Sequence, residues 1–235
     1  MSRLLVHVEG ETEETFVNEV LSPYLYNRGY SEVSARLMGN ARQRSRRGGI
    51  KGWEEVRKDI LGHLKEDTER LVTTMVDYYG LPQTWPGRKA AGRTVFAQKA
   101  KTVEAMLSLD ISQEMGGAFN LDRFIPYVMM HEFEAMLFSD CEGFGRGIGR
   151  VDLVPRLQAI RDQFASPEEI DDSPDTAPSK RVEHLMPDYQ KPLMGNLAAL
   201  EIGIHTICRE CPHFEEWLER LERSLATSGN GRVEN

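Results

Sequence analysis

Two apolar, strand-forming runs each stop at an acidic residue, and this pattern constrains the chain more than any other. Arg3-Leu4-Leu5-Val6-His7-Val8 ends at Glu9-Gly10, and Leu71-Val72-Thr73-Thr74-Met75-Val76 ends at Asp77. A third run, Phe124 to Met130, ends at His131-Glu132. Short, nearly continuous apolar runs fit strands buried on both faces, as in parallel sheets. Helical patterns separate them. Thr12 reads as an N-cap with Glu13 and Glu14 in the first turn, and Phe16, Val17, Val20, Leu21 and Tyr24 share a face up to a stop at Gly29. Residues 33–38 alternate as a second strand. Residues 53–68 form a helix with Trp53, Val56, Ile60, Leu61 and Leu64 on one side, a loop covers 81–93, and helices follow near 94–109 and over 132–138. This β-α-β-α-β-α-β-α order predicts an α/β fold, a mostly parallel sheet with helices on both faces.

The last third lacks a strand signal. Residues 151–164 are amphipathic, 166–181 form a Pro-, Asp- and Ser-rich connection, and 195–211 and 213–225 read as helices broken at Pro212. The organisation expected is a core over 1–140 and a helical subdomain over 141–235 packed on it.

Composition removes several classes. No apolar run approaches the roughly 20 residues of a membrane span, and the N-terminus turns acidic too soon for a secretory signal. Three cysteines make no disulfide framework, which suits a reducing, cytoplasmic setting. The 29 Lys and Arg against 37 Asp and Glu leave a net charge of −8, which argues against indiscriminate coating of DNA. It leaves room for one phosphate site, because a bound cation inverts the local field. The positive charge gathers at 42–51, 88–101 and around 180–191.

In open parallel sheets, ligands collect beyond the carboxyl ends of strands. Acids meeting there repel unless a cation intervenes. Hard oxygen donors favour Mg²⁺ or Mn²⁺, and such ions serve phosphoryl displacement. The candidates are Glu9, Asp77, Glu13, Glu132 and Glu134, with His131 beside them. Each has a plainer alternative. Glu13 and Glu14 suit a helix dipole, Asp77 an Asx-turn, Glu132 and Glu134 a solvated helix start, and His131 a structural place beside a strand. Arg42, Arg44, Arg46, Arg47 and Lys51 form either a clamp for a phosphate backbone or a solvated loop. Lys180, Arg181 and Lys191 make a second basic set, with Pro178-Ser179 suited to a loop that holds the first pair outward. Trp53 could stack on a base, although its spacing favours the core. Cys208 and Cys211 with His205 and His213 have knuckle-like spacing, but four ligands within nine residues rarely enclose zinc, and buried thiols are the simpler reading. No P-loop, His-Glu-x-x-His or Gly-x-Ser-x-Gly motif occurs.

Val8-Glu9-Gly10-Glu11-Thr12-Glu13 resembles the first motif of Toprim domains of OLD-type nucleases, with Glu9 as the strand-end acid. Asp77 resembles the first acid of the Toprim Asp-x-Asp motif. The chain as a whole resembles the bacterial family called domain of unknown function 4276. The matching stretches are Thr73 to Pro82, His131 to Asp140, Ala177-Pro178-Ser179-Lys180-Arg181 and Cys211-Pro212-His213-Phe214-x-x-Trp217-Leu218. The resemblance implies a Toprim-like, Rossmann-like core and partnership with an ABC-type ATPase in phage defence, one such system having a tRNA-cutting effector. It also implies Glu9 as general base or metal ligand and Asp77 as metal ligand. The chain departs from the motif at Tyr79, which stands where the second acid belongs. Glu13, Glu132 or Glu134 could supply the missing oxygen.

Three readings follow. The first is a Mg²⁺- or Mn²⁺-dependent nuclease acting on RNA or DNA, its basic side chains orienting the backbone, possible as a homo-oligomer. The second is a catalytically degenerate binding module that docks on an ATPase or senses a phage protein. The third is phosphoryl transfer on a small nucleotide.

Overall fold

Four of the five strands lie side by side in the order β2-β1-β3-β4, and every pairing is parallel. The computed structural model describes residues 2–38, 50–170 and 176–230, without the side chains of 226–230. The strands are β1 (Arg3–Val8), β2 (Glu32–Leu37), β3 (Arg70–Asp77), β4 (Phe124–Ile125) and β5 (Val128–Met129), the last also pairing with β3. The α/β class expected from the strand–helix alternation is what the chain adopts.

Side-chain alternation sends each strand's residues to opposite faces. From β1, Leu4, Val6 and Val8 enter one apolar cluster while Leu5 enters the other. β3 divides likewise, Leu71 and Met75 against Val72 and Val76. The first face is covered by a helical stretch from 11 to 26. It consists of α1 (Glu11–Phe16), a π-helical segment Val17–Leu21 and α2 (Ser22–Tyr26). On the second face lie α3 (Trp53–Glu66), α4 (Arg88–Ala91) and α5 (Phe96–Met115). Trp53 belongs to that core, its ring against Trp85 at 5.0 Å and its indole N–H on Asp110.

The remaining helices are α6 (Cys141–Gly147), α7 (Val154–Arg161), α8 (Pro178–Leu185), α9 (Lys191–Ile202), α10 (Ile204–Glu210) and α11 (Pro212–Asn230). They join the first face: Phe214, Trp217 and Leu221 share one continuous cluster with Val6, Phe16 and Met75. Among the described residues no strand follows Met129, and no helix is long and apolar enough to cross a membrane.

Several local expectations shift. The first helix begins at Glu11 behind Gly10, not behind Thr12, because the Glu13 carboxylate accepts the Gly10 N–H at 3.0 Å. The run 124–130 is interrupted at Pro126, which has no N–H for the ladder. Thr74 repairs the gap: its hydroxyl donates to the Tyr127 carbonyl and accepts the Tyr127 N–H. Residues Phe133–Ser139 form a 3₁₀ helix rather than an α-helix. The helix near 94–109 runs instead over Phe96–Met115. Pro178-Ser179 opens a helix rather than a loop. Residues 195–211 hold a break at Gly203, whose φ of 78° favours glycine, as well as the break at Pro212.

Candidate functional site

Register brings the strand-end acids together. Val8 pairs with Met75, and Asp77 pairs with Met129, so Glu9, Asp77 and the segment after Met130 all leave the sheet at its carboxyl end. Glu9 lies over the backbone of Gly80. A Cβ at that position would stand 3.3 and 3.4 Å from the two Glu9 carboxylate oxygens and 3.5 Å from Asp77 Cβ. Glycine therefore leaves the room in which Glu9 and Asp77 approach each other. Glu13 reaches the group from the first turn of α1, and Glu132 and Glu134 from the start of the 3₁₀ helix.

The electrostatics show that these acids share one environment. Burial, then the charge of Glu13, pushes the Glu9 carboxyl up to about 7. Burial pushes Glu134 up to about 7 as well, the nearby Lys191 resisting and Glu132 assisting. Asp77 is raised well above its ordinary range by burial and by Glu9, Glu13, Glu132 and Glu134. Burial raises Glu13 too, while the backbone N–H groups at its own position and at Gly10 resist. Three oxygens here are buried and accept no hydrogen bond: Glu9 Oε2, Asp77 Oδ1 and Glu134 Oε1. An unpaired buried acceptor is costly, and an unpaired buried carboxylate more so. Asp77 Oδ1 therefore does not serve as an Asx-turn acceptor.

Lys191, at the start of α9, enters the same group. Its ammonium lies 3.3 Å from Glu132 Oε1 and 3.5 Å from Glu134 Oε2. Burial works against its charge, but Glu134 and Glu132 outweigh it and hold the ammonium above its ordinary range. Glu132 is held low despite burial, because Ser179 and Lys191 bond its carboxylate, the Ser179 N–H at 2.9 Å. Lys191 thus sits against acids, not apart on a basic surface. Spacing alone gave no sign of this, since Lys191 lies 59 residues from Glu132. Ser179, which local sequence places only in a loop beside Lys180, lies 47 residues from Glu132.

The other candidates are dispersed. Lys51 pairs with Glu55, Lys180 pairs with Glu183, and Arg181 bonds the Thr176 carbonyl and lies near the Phe164 ring. Arg42, Arg44, Arg46 and Arg47 lie outside the described residues. His131 is buried, stacked between the rings of Tyr79 and Phe96. The cysteine–histidine set does not converge. His213 bonds Glu104, His205 packs on Tyr24, and Cys211 contacts Ser139. Burial pushes the Cys208 thiol up to about 12.

The acid cluster suits a divalent cation by its donor chemistry: hard carboxylate oxygens, three of them unpartnered, in a group whose mutual repulsion a cation would relieve. Among the described residues no three acidic, histidine or cysteine side chains already converge to ligand distance. Glu9, Asp77 and Glu134 would have to draw together around the ion.

No match was found among curated proteins. Two solved structures are similar, both of the C-terminal region of the OLD protein of Xanthomonas campestris pv. campestris, one phased with iodine and one with mercury. Each is 15% identical with a TM-score of 0.45; the first covers 98% of this chain and 98% of its own, the second 97% and 98%. The family model described as Domain of unknown function (DUF4276) matches residues 8–222, and the chain belongs to that family.

Proposed function

We propose that the protein is a divalent-metal-dependent phosphodiester hydrolase, a nuclease of RNA or DNA, with its site at the carboxyl ends of β1 and β3. One observation carries the reading: acids from separate elements meet there with buried, unpartnered oxygens on Glu9, Asp77 and Glu134. These three would hold Mg²⁺ or Mn²⁺, with Glu13 and Glu132 beside them. When bound, such an ion acidifies water and stabilises charge on phosphate oxygens. Glu9, at the end of β1, would serve either as one of those ligands or as the acceptor of a proton from attacking water. Lys191, held charged, offers a fixed cation against the phosphate. The test is cleavage of tRNA, other RNA and plasmid DNA with and without Mg²⁺ or Mn²⁺. Loss of cutting in Glu9→Gln and Asp77→Asn supports the assignment, and full activity in both overturns it. Products from small nucleotides in the same assay would favour phosphoryl transfer on those instead.

A binding module is the second reading. Tyr79 replaces one expected acid, and Lys191 already offsets two of those present. No heat of Mg²⁺ binding, together with a stable complex with a neighbouring gene's product, would favour it. The family resemblance further suggests an ABC-type ATPase as partner and a role in phage defence. Co-purification with such an ATPase tests the first, and phage plating on cells carrying both genes tests the second.

A further inference from the structure

Between Tyr78 and Val103 the chain carries Arg88, Lys89, Arg93, Lys99 and Lys101 and no acid, in a protein whose net charge is −8. The stretch begins one residue after Asp77, and the structure brings Arg88 and Lys99 back to the rings of Tyr78 and Tyr79, while Lys101 pairs with Glu216. At its start stands an exposed aromatic ring, Tyr79, 41% exposed. The ring is held from behind. His131 stacks on it with 10° between planes and 5.6 Å between centroids, and Phe96 backs His131 at 5.6 Å. Tyr78 meets Tyr79 edge-on at 4.9 Å and is itself fixed by Arg88, which donates to the Tyr78 hydroxyl at 2.9 Å and lies 3.9 Å over its ring. Lys99 donates to the Tyr79 hydroxyl at 3.2 Å. Lys89 and Arg93 are exposed and enter no ion pair among the described residues.

The column of rings orders Tyr79 in advance, so less rotamer freedom is lost when a ligand stacks on it. Flat aromatic ligands stack on such a ring, and cations around it select ligands that also carry negative charge. A base with its phosphate has both properties. Sequence-tolerant single-strand binding combines these parts: a positively charged track and aromatic faces for successive bases.

We propose that Tyr79 is a stacking platform for one base of a single-stranded nucleic acid, which the basic segment 88–101 guides past the acid cluster. The inference rests on the reading of that cluster as the place where a phosphodiester is met. A duplex would keep its bases stacked on one another, so the ring selects unpaired strands, loops or ends.

Fluorescence anisotropy of a labelled ten-nucleotide single strand in EDTA measures binding without cleavage. Tyr79→Ala should weaken binding about tenfold, the scale of one lost base stack. Tyr79→Phe, which keeps the ring and loses only the Lys99 bond, should stay within about twofold of wild type by the same stacking argument. Strands with abasic sites should lose affinity for wild type and show no further loss on Tyr79→Ala. The double variant Lys89→Glu, Arg93→Glu should flatten the salt dependence. Equal affinities for wild type and Tyr79→Ala, indifference to abasic sites, displacement by polyglutamate at matched charge, or no binding of the strand by wild type would each overturn the proposal. Cleavage with Mg²⁺ is scored separately on the same preparations. Stacking without cleavage removes the nuclease reading alone, and cleavage insensitive to Tyr79 removes the platform alone.

Discussion

Glu104 and Glu168 are withdrawn from water as Glu9 and Asp77 are, yet their oxygens are occupied. Glu104 Oε1 accepts the Val128 N–H at 2.9 Å and faces His213 Nε2 at 3.0 Å. Glu168 accepts the His213 and Phe214 N–H groups, both at 3.0 Å, in the first turn of α11. These acids tie the last helix to the core and cap its start, where a carboxylate also suits the helix dipole. At the sheet's carboxyl end the acids face one another, and buried oxygens are left without donors. Burial of an acid is therefore not what distinguishes a site in this protein. The distinction is whether the fold supplies partners for the charge it buries.

That contrast can be broken by substitution. Glu9→Gln should lower metal-dependent cleavage about 10²- to 10⁴-fold, the range for losing a general base, and Asp77→Asn should lower it by loosening the metal. Glu104→Gln, measured alongside, should leave cleavage intact. If Glu104→Gln abolishes cleavage while Glu9→Gln does not, the two clusters have been assigned the wrong way round.

Stability should show the reverse ranking. Glu104→Ala leaves His213 buried without its carboxylate and should cost about 3 kcal/mol in urea denaturation. The Glu104 bond holds His213 above its ordinary range although burial opposes it, so the pair's contribution should fade as pH rises past that raised value. Glu9→Gln removes a repelling charge and should stabilise the metal-free protein at pH 8. Equal destabilisation by both changes would mean that the two acids play the same structural part.

The pH dependence sharpens the difference further. Glu9 and Glu134 ionise at about 7 in the folded chain, above the ordinary 4.5. The folded form therefore holds their protons more tightly than the unfolded form does. Their stabilisation is full below about pH 4.5 and is lost as pH climbs through 7. In EDTA the melting temperature should fall over this window. Mg²⁺ at 100 times its Kd should restore about 2.7 kcal/mol at pH 8. Buried His7, held down at about 3, acts in the opposite sense over this window, so the check is the double variant Glu9→Gln, Glu134→Gln: a pH slope equal to that of wild type in EDTA would contradict the shared burial of these acids.

The smallest expected effect is at Gly80. Its Cβ would press on the Glu9 carboxylate, a movable side-chain end. Gly80→Ala should change stability by no more than about 1 kcal/mol while weakening Mg²⁺ binding, as read by calorimetry. Unchanged Mg²⁺ affinity would separate Glu9 from the metal.

Much of the scaffold was legible from pattern. β1 and β3 were marked by apolar runs, α3 by the spacing of Trp53, Val56, Ile60 and Leu64, and the acids by their place at strand ends. The repaired gap at Pro126 is not legible in local sequence, because it depends on the Thr74 hydroxyl from the neighbouring strand. Local sequence places Lys191 in a basic set and does not announce that α9 delivers it to Glu132 and Glu134. In sequence Tyr79 marks only a missing acid, because its stacking on His131 joins distant segments.

The sequence by itself determined which residues prefer strand or helix, which faces are apolar, and that several chain segments end in acids at one edge of a parallel sheet. Those properties follow from side-chain chemistry and periodicity within a few residues. Only the tertiary structure decided which acids meet, which of their oxygens go without donors, and which ring is braced beside them. Each of those outcomes is a contact between distant segments, set by how helices from both ends of the chain pack over the sheet.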